Sequence, residues 1–317
     1  MAQATGKVCV TGAGGYLGSW VVKHLLSNNY TVHATVRQPG DAKYAHLNQL
    51  ERASHNLQLF KADLLDYDSL CSAISGCTGV FHVASPVPTT TVSNPQVEVI
   101  EPAVKGTLNV LKACVEAKVK RVVVVSSRGA VALNPRWPVG QIKDEACWSD
   151  KEHCAATKKR RVNFEFKKSS GLDVVTVCPS LILGPLLQPT INASSLALVR
   201  LLKGYDTLEE KSRMIVEFKV RMIVDVRDVA EALLLVYEKA EAEGRYICMA
   251  HLTNPRDLVD KLRSIFPQYD YPKRFIEGGE EDILSSEKLQ RLGWSYRPLE
   301  ETLVDSIESY KKAGILD

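Results

Sequence analysis

Four glycines near the start of the chain are spaced so that they could hold a phosphate group. Gly12, Gly14, Gly15 and Gly18 follow the apolar run 8–10 and precede residues 19–26, whose apolar side chains recur at helical spacing. A glycine backbone can turn sharply and approach a pyrophosphate closely. The free N–H groups and the dipole at the start of a helix then favour the anion. This strand–turn–helix context predicts a dinucleotide-binding site rather than a simple turn.

A basic pair follows the second apolar run, residues 31–36. An acidic side chain at this position would bind the ribose 2′-hydroxyl of NAD, but the run is followed by Arg37, with Lys43 a few residues on. Two cations suit a 2′-phosphate, so the pair predicts NADP as the cofactor. The alternative is that Arg37 is only a solvated loop residue. Asp63 and Leu64, at the end of the third apolar run, are expected near the adenine.

These residues need a scaffold that brings them to one edge. Predicted strands at 57–62, 79–84, 121–125 and 173–177 alternate with predicted helices at 43–53, 66–75 and 98–117. This order predicts an α/β fold with a doubly wound, Rossmann-like parallel sheet, whose ligands bind at the carboxyl ends of the strands. The predicted cofactor-binding residues are Thr11, Gly12, Gly15, Tyr16, Leu17, Gly18, Arg37, Lys43, Asp63, Leu64, Ala84, Ser85, Ser126, Pro179 and Ser180.

The pattern changes beyond Pro185, which predicts two lobes. Residues 1–185 are expected to form the NADP-binding domain, to which the segment 221–250 could partly return. Residues 186–317 are expected to form a smaller, mixed substrate-binding lobe that borders the cleft and selects the substrate. Its predicted helices are 193–202, 228–239, 255–265 and 299–312, with a strand at 245–249.

The composition is that of a globular protein acting on small molecules. The 317 residues are 45% hydrophobic and carry a net charge of +3, which gives no reason to expect a nucleic acid or a membrane as partner. The N-terminus shows no apolar signal segment, so we expect a cytoplasmic protein. We also expect a monomer or weak dimer, and no metal. The eight cysteines lie mostly in apolar runs and are expected to be reduced. A redox-sensitive pair of Cys147 and Cys154 is the alternative.

Motifs along nearly the whole chain carry a family resemblance. They are VCVTGAGGYLGSWVVKHLL, TVHATVR, KADLLDYDSL, GCTGVFHVASP, KGTLNVLKAC, RVVVVSSRGAV, DEACWSD, VVTVCPSLILGP, DVRDVAEALL and EGRYICM. In this set the chain resembles the plant cinnamoyl-CoA reductase and dihydroflavonol reductase group of the extended short-chain dehydrogenase/reductases. The resemblance implies an NADPH-dependent carbonyl reductase acting on an aromatic aldehyde, a hydroxycinnamoyl-CoA thioester or a dihydroflavonol-type ketone.

The resemblance also implies the chemistry. Ser127 matches the family serine, whose hydroxyl hydrogen-bonds the substrate carbonyl. A family tyrosine donates the proton, and a lysine one helical turn later lowers the pKa of that tyrosine and holds the ribose. Residues 150–171 should carry both groups but contain no tyrosine. Relative to the family, the segment is roughly ten residues short, about 15 Å of helix.

No other tyrosine supplies the missing pair. Only Tyr269 has a lysine four residues later, Lys273, and the intervening Pro272 would break a helical turn. A second irregularity is the tetrapeptide Arg-Met-Ile-Val, which begins at both 213 and 221. Two hypotheses therefore stand: a weakened NADPH-dependent reductase, or a catalytically inactive NADP-binding protein, including a defective splice or gene-model variant.

Overall fold

The computed structural model describes most of the chain. The described residues are 5–86, 93–94, 96–138, 140–156, 171–203, 222–272, 275 and 283–317. The strands are β1 (Gly6–Thr11), β2 (Tyr30–Val36), β3 (Leu57–Lys61), β4 (Gly79–His82), β5 (Arg121–Val125), β6 (Asp173–Pro179), β7 (Leu181–Leu183), β8 (Met222–Asp225), β9 (Arg245–Cys248) and β10 (His251–Leu252).

Helices separate most of these strands. They are α1 (Tyr16–Ser27), α2 (Ala45–Asn48), α3 (Ala53–Asn56), α4 (Tyr67–Ile74), α5 (Glu101–Glu116), α6 (Lys151–Ala156), α7 (Ala193–Lys203), α8 (Val226–Glu238), α9 (Pro255–Ile265), α10 (Glu287–Arg291) and α11 (Leu299–Lys312). Short 3-10 turns occupy Ala42–Tyr44 and Arg128–Ala130, and a π-helical turn, Gln96–Ile100, leads into α5.

The large sheet has seven parallel strands in the order β3-β2-β1-β4-β5-β6-β9. Its strands are apolar because helices lie on both faces: α1 and α8 pack together on one face, and α4 and α5 on the other. The predicted doubly wound sheet is confirmed. Its strand order reverses between β1 and β4, and ligands bind at that reversal in such sheets.

The C-terminal part has its own sheet and core. A three-stranded sheet, β10-β8-β7, lies beside a cluster that includes Leu202, Leu262, Ile307 and Tyr310, all fully buried. The neighbouring strand β9 instead joins the large sheet beside β6. The boundary between two lobes at Pro185 stays a prediction.

Several predicted elements are corrected. The helix expected over 43–53 is instead a 3-10 turn and two single-turn helices. Arg52, just before α3, has a left-handed conformation with φ of 66°, which a continuous right-handed helix through 43–53 could not contain. Strands β7 and β8 and helix α10 were not predicted, since each is too short to show a period. Met222, Ile223 and Val224 of the second Arg-Met-Ile-Val copy lie in β8, and the first copy lies outside the described residues.

Candidate functional site

The glycine turn between β1 and α1 needs its glycines for two physical reasons. Gly12 has a φ of +68°, a conformation that side chains disfavour, and a Cβ there would lie 2.9 Å from Cα of Ala84. A Cβ on Gly18 would lie 2.2 Å from the carbonyl oxygen of Gly12. The turn therefore packs tightly against both its own helix and the end of β4.

The first turn of α1 is open to an anion. Gly15 is the N-cap residue, no side chain of the described residues caps the helix, and its first turn holds no acidic residue. The first N–H groups of a helix have no partner within it, so those of Tyr16 and Leu17 are directed out of the helix end. The dipole adds partial positive charge. This end fits a pyrophosphate, and the predicted residues Gly15, Tyr16, Leu17 and Gly18 lie on it.

The basic pair lies beyond the end of β2. Arg37 is exposed, and Lys43 is partly exposed with its Nζ 2.7 Å from a carboxylate oxygen of Asp41. Asp41 also caps the following 3-10 turn, because its other carboxylate oxygen accepts a hydrogen bond from the Lys43 amide at 3.0 Å. An anion that binds Lys43 must therefore compete with Asp41. The sequence predicted only the two cations and not the carboxylate of Asp41 that competes for Lys43.

The ends of β2 and β3 flank an open surface cleft. It has a volume of about 480 Å³ and is lined by Gln38, Pro39, Gly40, Asp41 and Lys61. Asp63 follows β3 on the surface, where its carboxylate accepts a hydrogen bond from the Leu65 amide at 2.9 Å. Leu64 packs against Gly106 of α5, since a Cβ on that glycine would lie 2.7 Å from the Leu64 Cβ. Asp63 and Leu64 thus lie at the same sheet edge as the glycine turn.

The end of β4 is tied to β1 by a buried side chain. The amide of Ala84 donates a hydrogen bond to the Thr11 hydroxyl at 3.2 Å. Thr11 is fully buried, and its hydroxyl also lies 2.8 Å from Nδ1 of His82. The Thr11 side chain therefore connects the two strands. That Thr11 contributes to cofactor binding stays a prediction. Ser85, the next residue, is exposed.

The serines after β5 lie beside the residues that end β6. The Ser126 amide donates a hydrogen bond to the Val177 carbonyl at 2.8 Å, so β5 and β6 remain paired to their ends. The hydroxyl oxygen of Ser127 accepts a hydrogen bond from the Gly129 amide at 3.2 Å, which orients the side chain. Pro179 and Ser180 are buried at the adjacent end of β6. Ser126, Ser127, Pro179 and Ser180 therefore share one edge with Gly12 and Ala84.

The segment expected to carry a tyrosine and a lysine is only partly described. Helix α6 begins at Lys151 after Asp150, whose carboxylate accepts a hydrogen bond from the His153 amide at 2.8 Å. Residues 157–170 lie outside the described residues, and with them the lysines nearest the expected pair, Lys158, Lys159, Lys167 and Lys168. Tyr269 is elsewhere, since its hydroxyl donates to the Asp317 carbonyl at 3.0 Å.

The strap that follows β7, residues 184–186, is held by α1 and α11. The Tyr16 hydroxyl donates to the Gly184 carbonyl and the Trp20 indole N–H donates to the Pro185 carbonyl, each at 2.8 Å. The Leu186 amide donates to the Ser309 hydroxyl of α11 at 2.8 Å. Tyr16 thus uses its hydroxyl to anchor this strap, a contact that its place in the glycine turn did not predict.

No disulfide is assigned among the eight cysteines, all of which lie within the described residues. Seven of them are buried, including Cys147 and Cys154. The Cys147 thiol lies 3.3 Å from the Val131 carbonyl. Burial raises the pKa of Cys178 to about 11, so this thiol beside the candidate site stays protonated at neutral pH. The redox-sensitive pair of Cys147 and Cys154 stays a prediction. Within the described ranges, no helix combines the length and apolar composition needed to span a bilayer.

The fold and the open glycine turn define a doubly wound protein of the dinucleotide-binding class. The model of the NAD dependent epimerase/dehydratase family matches residues 8–248. Cinnamoyl-CoA reductase 1 of Petunia hybrida is 42% identical over 322 aligned residues, covering 98% of this chain and 93% of the relative. The chain therefore belongs to the NAD dependent epimerase/dehydratase family, in its plant cinnamoyl-CoA reductase-like and dihydroflavonol reductase-like group.

Two further comparisons bear on the site. Vestitone reductase of alfalfa (Medicago sativa L.) has a similar structure, with a TM-score of 0.80 and 31% identity, covering 98% of this chain and 100% of that one. Cinnamoyl-CoA reductase 1 of Arabidopsis thaliana is 41% identical and covers 100% of this chain and 92% of the relative. That alignment spans 330 positions although this chain has 317 residues, so this chain lacks residues that the relative possesses.

Proposed function

We propose that this chain binds NADPH along the carboxyl ends of the large sheet and is a weakened carbonyl reductase. The observation that carries the proposal is the first turn of α1, which no side chain of the described residues caps and which follows Gly12–Gly15 beside the strand-order reversal. A pyrophosphate there would accept hydrogen bonds from helix N–H groups and would complement the dipole. The two mononucleotide halves would then extend to either side of the reversal between β1 and β4.

The charges at the end of β2 support NADP over NAD. The 2′-phosphate of NADP would lie beside exposed Arg37 and beside Lys43. Charge-assisted hydrogen bonds of this kind contribute about 1.5–3 kcal/mol each. The carboxylate of Asp41, 2.7 Å from Lys43 Nζ, opposes part of that gain by repelling the phosphate. Among the described residues the Asp41 carboxylate pairs with Lys43 and not with Arg37, so Arg37 is the stronger of the two contacts in this proposal.

The proposed chemistry is carbonyl reduction with an incomplete proton supply. NADPH supplies a hydride when bound. In this scheme the Ser127 hydroxyl, oriented by the Gly129 amide at 3.2 Å, hydrogen-bonds the substrate oxygen, on which negative charge develops. A serine hydroxyl is a poor acid, and residues 150–171 contain no tyrosine to donate the proton. General acid catalysis contributes roughly 10²–10⁴-fold, so turnover should be lower than in an intact relative by at least that factor.

The relatives suggest the substrate class. The names of the petunia and alfalfa proteins specify a cinnamoyl-CoA thioester and a vestitone ketone as substrates of those proteins. By analogy we propose an aromatic aldehyde, a hydroxycinnamoyl-CoA or a dihydroflavonol-type ketone here. The smaller lobe, 186–317, would border the cleft and select among them. We further propose a monomer or weak dimer in the cytoplasm, as expected from the sequence.

A catalytically inactive NADP-binding protein is the second candidate. It is favoured by one observation, the missing Tyr-x-x-x-Lys pair in a chain that also lacks residues relative to its Arabidopsis relative. Such a protein would keep the glycine turn and Arg37, since both lie outside the shortened segment.

Two measurements on the purified chain separate these functions. The first is the Kd of NADPH and NADH from the quenching of protein fluorescence. The second is NADPH oxidation at 340 nm with cinnamaldehyde, cinnamoyl-CoA and a dihydroflavonol. Tight NADPH binding with slow, protein-dependent oxidation supports the weakened reductase. Binding without any turnover above a heat-denatured control supports the inactive protein, and no binding of NADPH contradicts both.

A further inference from the structure

A buried chain of side-chain hydrogen bonds lies directly beneath the strand-order reversal. His82, the last residue of β4, is 2% exposed. Its Nδ1 lies 2.8 Å from the hydroxyl of Thr11 at the end of β1, and its Nε2 lies 3.0 Å from the hydroxyl of Thr107 in α5. The three side chains therefore join two strands and a helix, in the Thr11–His82–Thr107 chain.

Both ring nitrogens of His82 have a hydrogen-bond partner while the imidazole is neutral. Burial lowers the pKa of His82 to about 4, so the imidazole is neutral at pH 7 and carries one N–H. Each neighbouring hydroxyl can donate or accept, so either tautomer gives two hydrogen bonds. A buried polar group of this kind is costly when one partner is removed. The sequence predicted His82 only as part of an apolar strand.

The hydrogen bonds of the Thr11–His82–Thr107 chain continue from Thr11 to the protein backbone at the candidate site. The Thr11 hydroxyl accepts a hydrogen bond from the amide of Ala84 at 3.2 Å, two residues beyond the end of β4 at His82. Ala84 is also the residue against which Gly12 packs, since a Cβ on Gly12 would lie 2.9 Å from Cα of Ala84. The separation between the glycine turn and the Ala84 backbone therefore depends on how Thr11 is held.

The position of these residues predicts which part of a dinucleotide would respond. Arg37 and Asp63 follow β2 and β3, on the adenosine side of β1. Strands β4, β5 and β6 lie on the opposite side, where Ser127 follows β5. A doubly wound sheet binds the two mononucleotide halves on either side of the reversal. Ala84 thus lies on the side of the nicotinamide half.

We propose that His82 is a positioning residue, which acts through Thr11 and Ala84 to shape the floor beneath the nicotinamide half of NADPH. The inference rests on the proposed NADPH binding and adds to it a group that has no contact with the cofactor. Thr107 is the anchor that holds the far side of the imidazole. Loss of the Thr11–His82–Thr107 hydrogen bonds should let the Ala84 backbone shift relative to Gly12 and leave the adenosine side unchanged.

The test compares two probes on the full chain, NADPH and 2′,5′-ADP, which contains only the adenosine half. His82→Phe keeps a ring but removes both hydrogen bonds, and Thr107→Val removes one hydroxyl with little change in volume. The matched control is His33→Phe. His33 is also buried on a central strand, with Nδ1 2.8 Å from the Ala73 carbonyl, but lies on β2. Isothermal titration calorimetry gives the Kd of each probe.

We expect His82→Phe to raise the Kd of NADPH by about tenfold or more, and Thr107→Val to raise it by about threefold. The Kd of 2′,5′-ADP should stay within about twofold for both variants. His82→Gln should recover part of the lost NADPH affinity because its amide can hydrogen-bond a threonine hydroxyl.

Equal losses of affinity for NADPH and for 2′,5′-ADP would show a merely structural role and overturn the inference, as would an unchanged Kd of NADPH. If His82→Phe fails to fold, Thr107→Val decides alone. A native chain that binds neither probe overturns the proposed function itself.

Discussion

At the scale of single residues, the cofactor preference depends on Arg37. Replacing it with alanine removes the exposed guanidinium that follows β2. A lost charge-assisted contact of about 1.5–3 kcal/mol corresponds to a roughly 10–150-fold weaker Kd of NADPH. The Kd of NADH should not change, because NADH carries no 2′-phosphate. Fluorescence titration of both nucleotides checks this, and a preference for NADPH that survives in Arg37→Ala would contradict the assignment.

Asp41→Asn should act in the opposite direction. Asparagine can still cap the 3-10 turn through its side-chain oxygen, so the backbone should be preserved. The substitution removes the negative charge that holds Lys43 and repels a phosphate. We expect the Kd of NADPH to fall by about two- to fivefold, an effect that weakens at high salt. A weaker binding of NADPH by Asp41→Asn would show that this carboxylate supports the site.

His82 should make the native chain sensitive to acid. Its pKa is lowered to about 4 in the folded state by burial, against about 6.5 in an unfolded chain. Between these values the unfolded state binds more protons, so the free energy of unfolding falls as pH decreases from 6.5 to 4 and levels off below. His82 should account for about 3 kcal/mol of that fall. Urea unfolding of the native chain and of His82→Phe across this window measures it, and parallel pH profiles would contradict the assignment.

At the scale of elements, the order of the longer strands and helices could be predicted from the sequence because their apolar residues recur with a clear period. Strand β5 and helices α9 and α11 have the predicted bounds. Short elements such as β7 and β8 were missed, since three or four apolar residues show no period. The glycine turn and Ser127 were found from local sequence. The His82 contacts and the competing role of Asp41 were not, because they depend on distances between separate segments.

One ion-pair group connects α8 to α11. The Arg227 guanidinium lies 2.8 Å from the fully buried Asp225 carboxylate and 2.6 Å from that of Asp305. Arg227→Ala leaves Asp225 buried without this partner, so we expect the free energy of unfolding to fall by about 3 kcal/mol. Arg263→Ala, which removes an exposed pair with Asp260, should cost at most about 1 kcal/mol. Equal losses in chemical denaturation would show that burial at Arg227 has no such effect.

If residues 150–171 lack part of the family helix, as the sequence analysis predicts, stability should also be reduced. In the family, the helix between β5 and β6 packs against the sheet, and loss of part of it exposes apolar surface at about 25 cal/mol per Å². A chain with a family helix bearing Tyr-x-x-x-Lys inserted after Lys158 should therefore melt at a higher temperature than the native chain. Differential scanning calorimetry makes the comparison. Equal melting temperatures would show that the sheet is covered in another way.

At the scale of the whole molecule, the binding and the chemistry of this protein are expected to be separable. The glycine turn, Arg37 and the Thr11–His82–Thr107 chain all lie before residue 150 in the sequence. The proton donor of the family belongs to the segment after it, and the alignment with the Arabidopsis relative shows that this chain lacks residues overall. Nucleotide binding should therefore persist where turnover is lost.

The most direct test of this account compares the native chain with the chain repaired after Lys158. Turnover of cinnamaldehyde and cinnamoyl-CoA is measured per NADPH-binding site, with sites counted by titration so that misfolded protein does not contribute. The account predicts that both chains bind NADPH and that turnover is at least about 100-fold higher in the repaired chain. Equal turnover in the two chains would contradict it, because another group of the native chain would then be donating the proton.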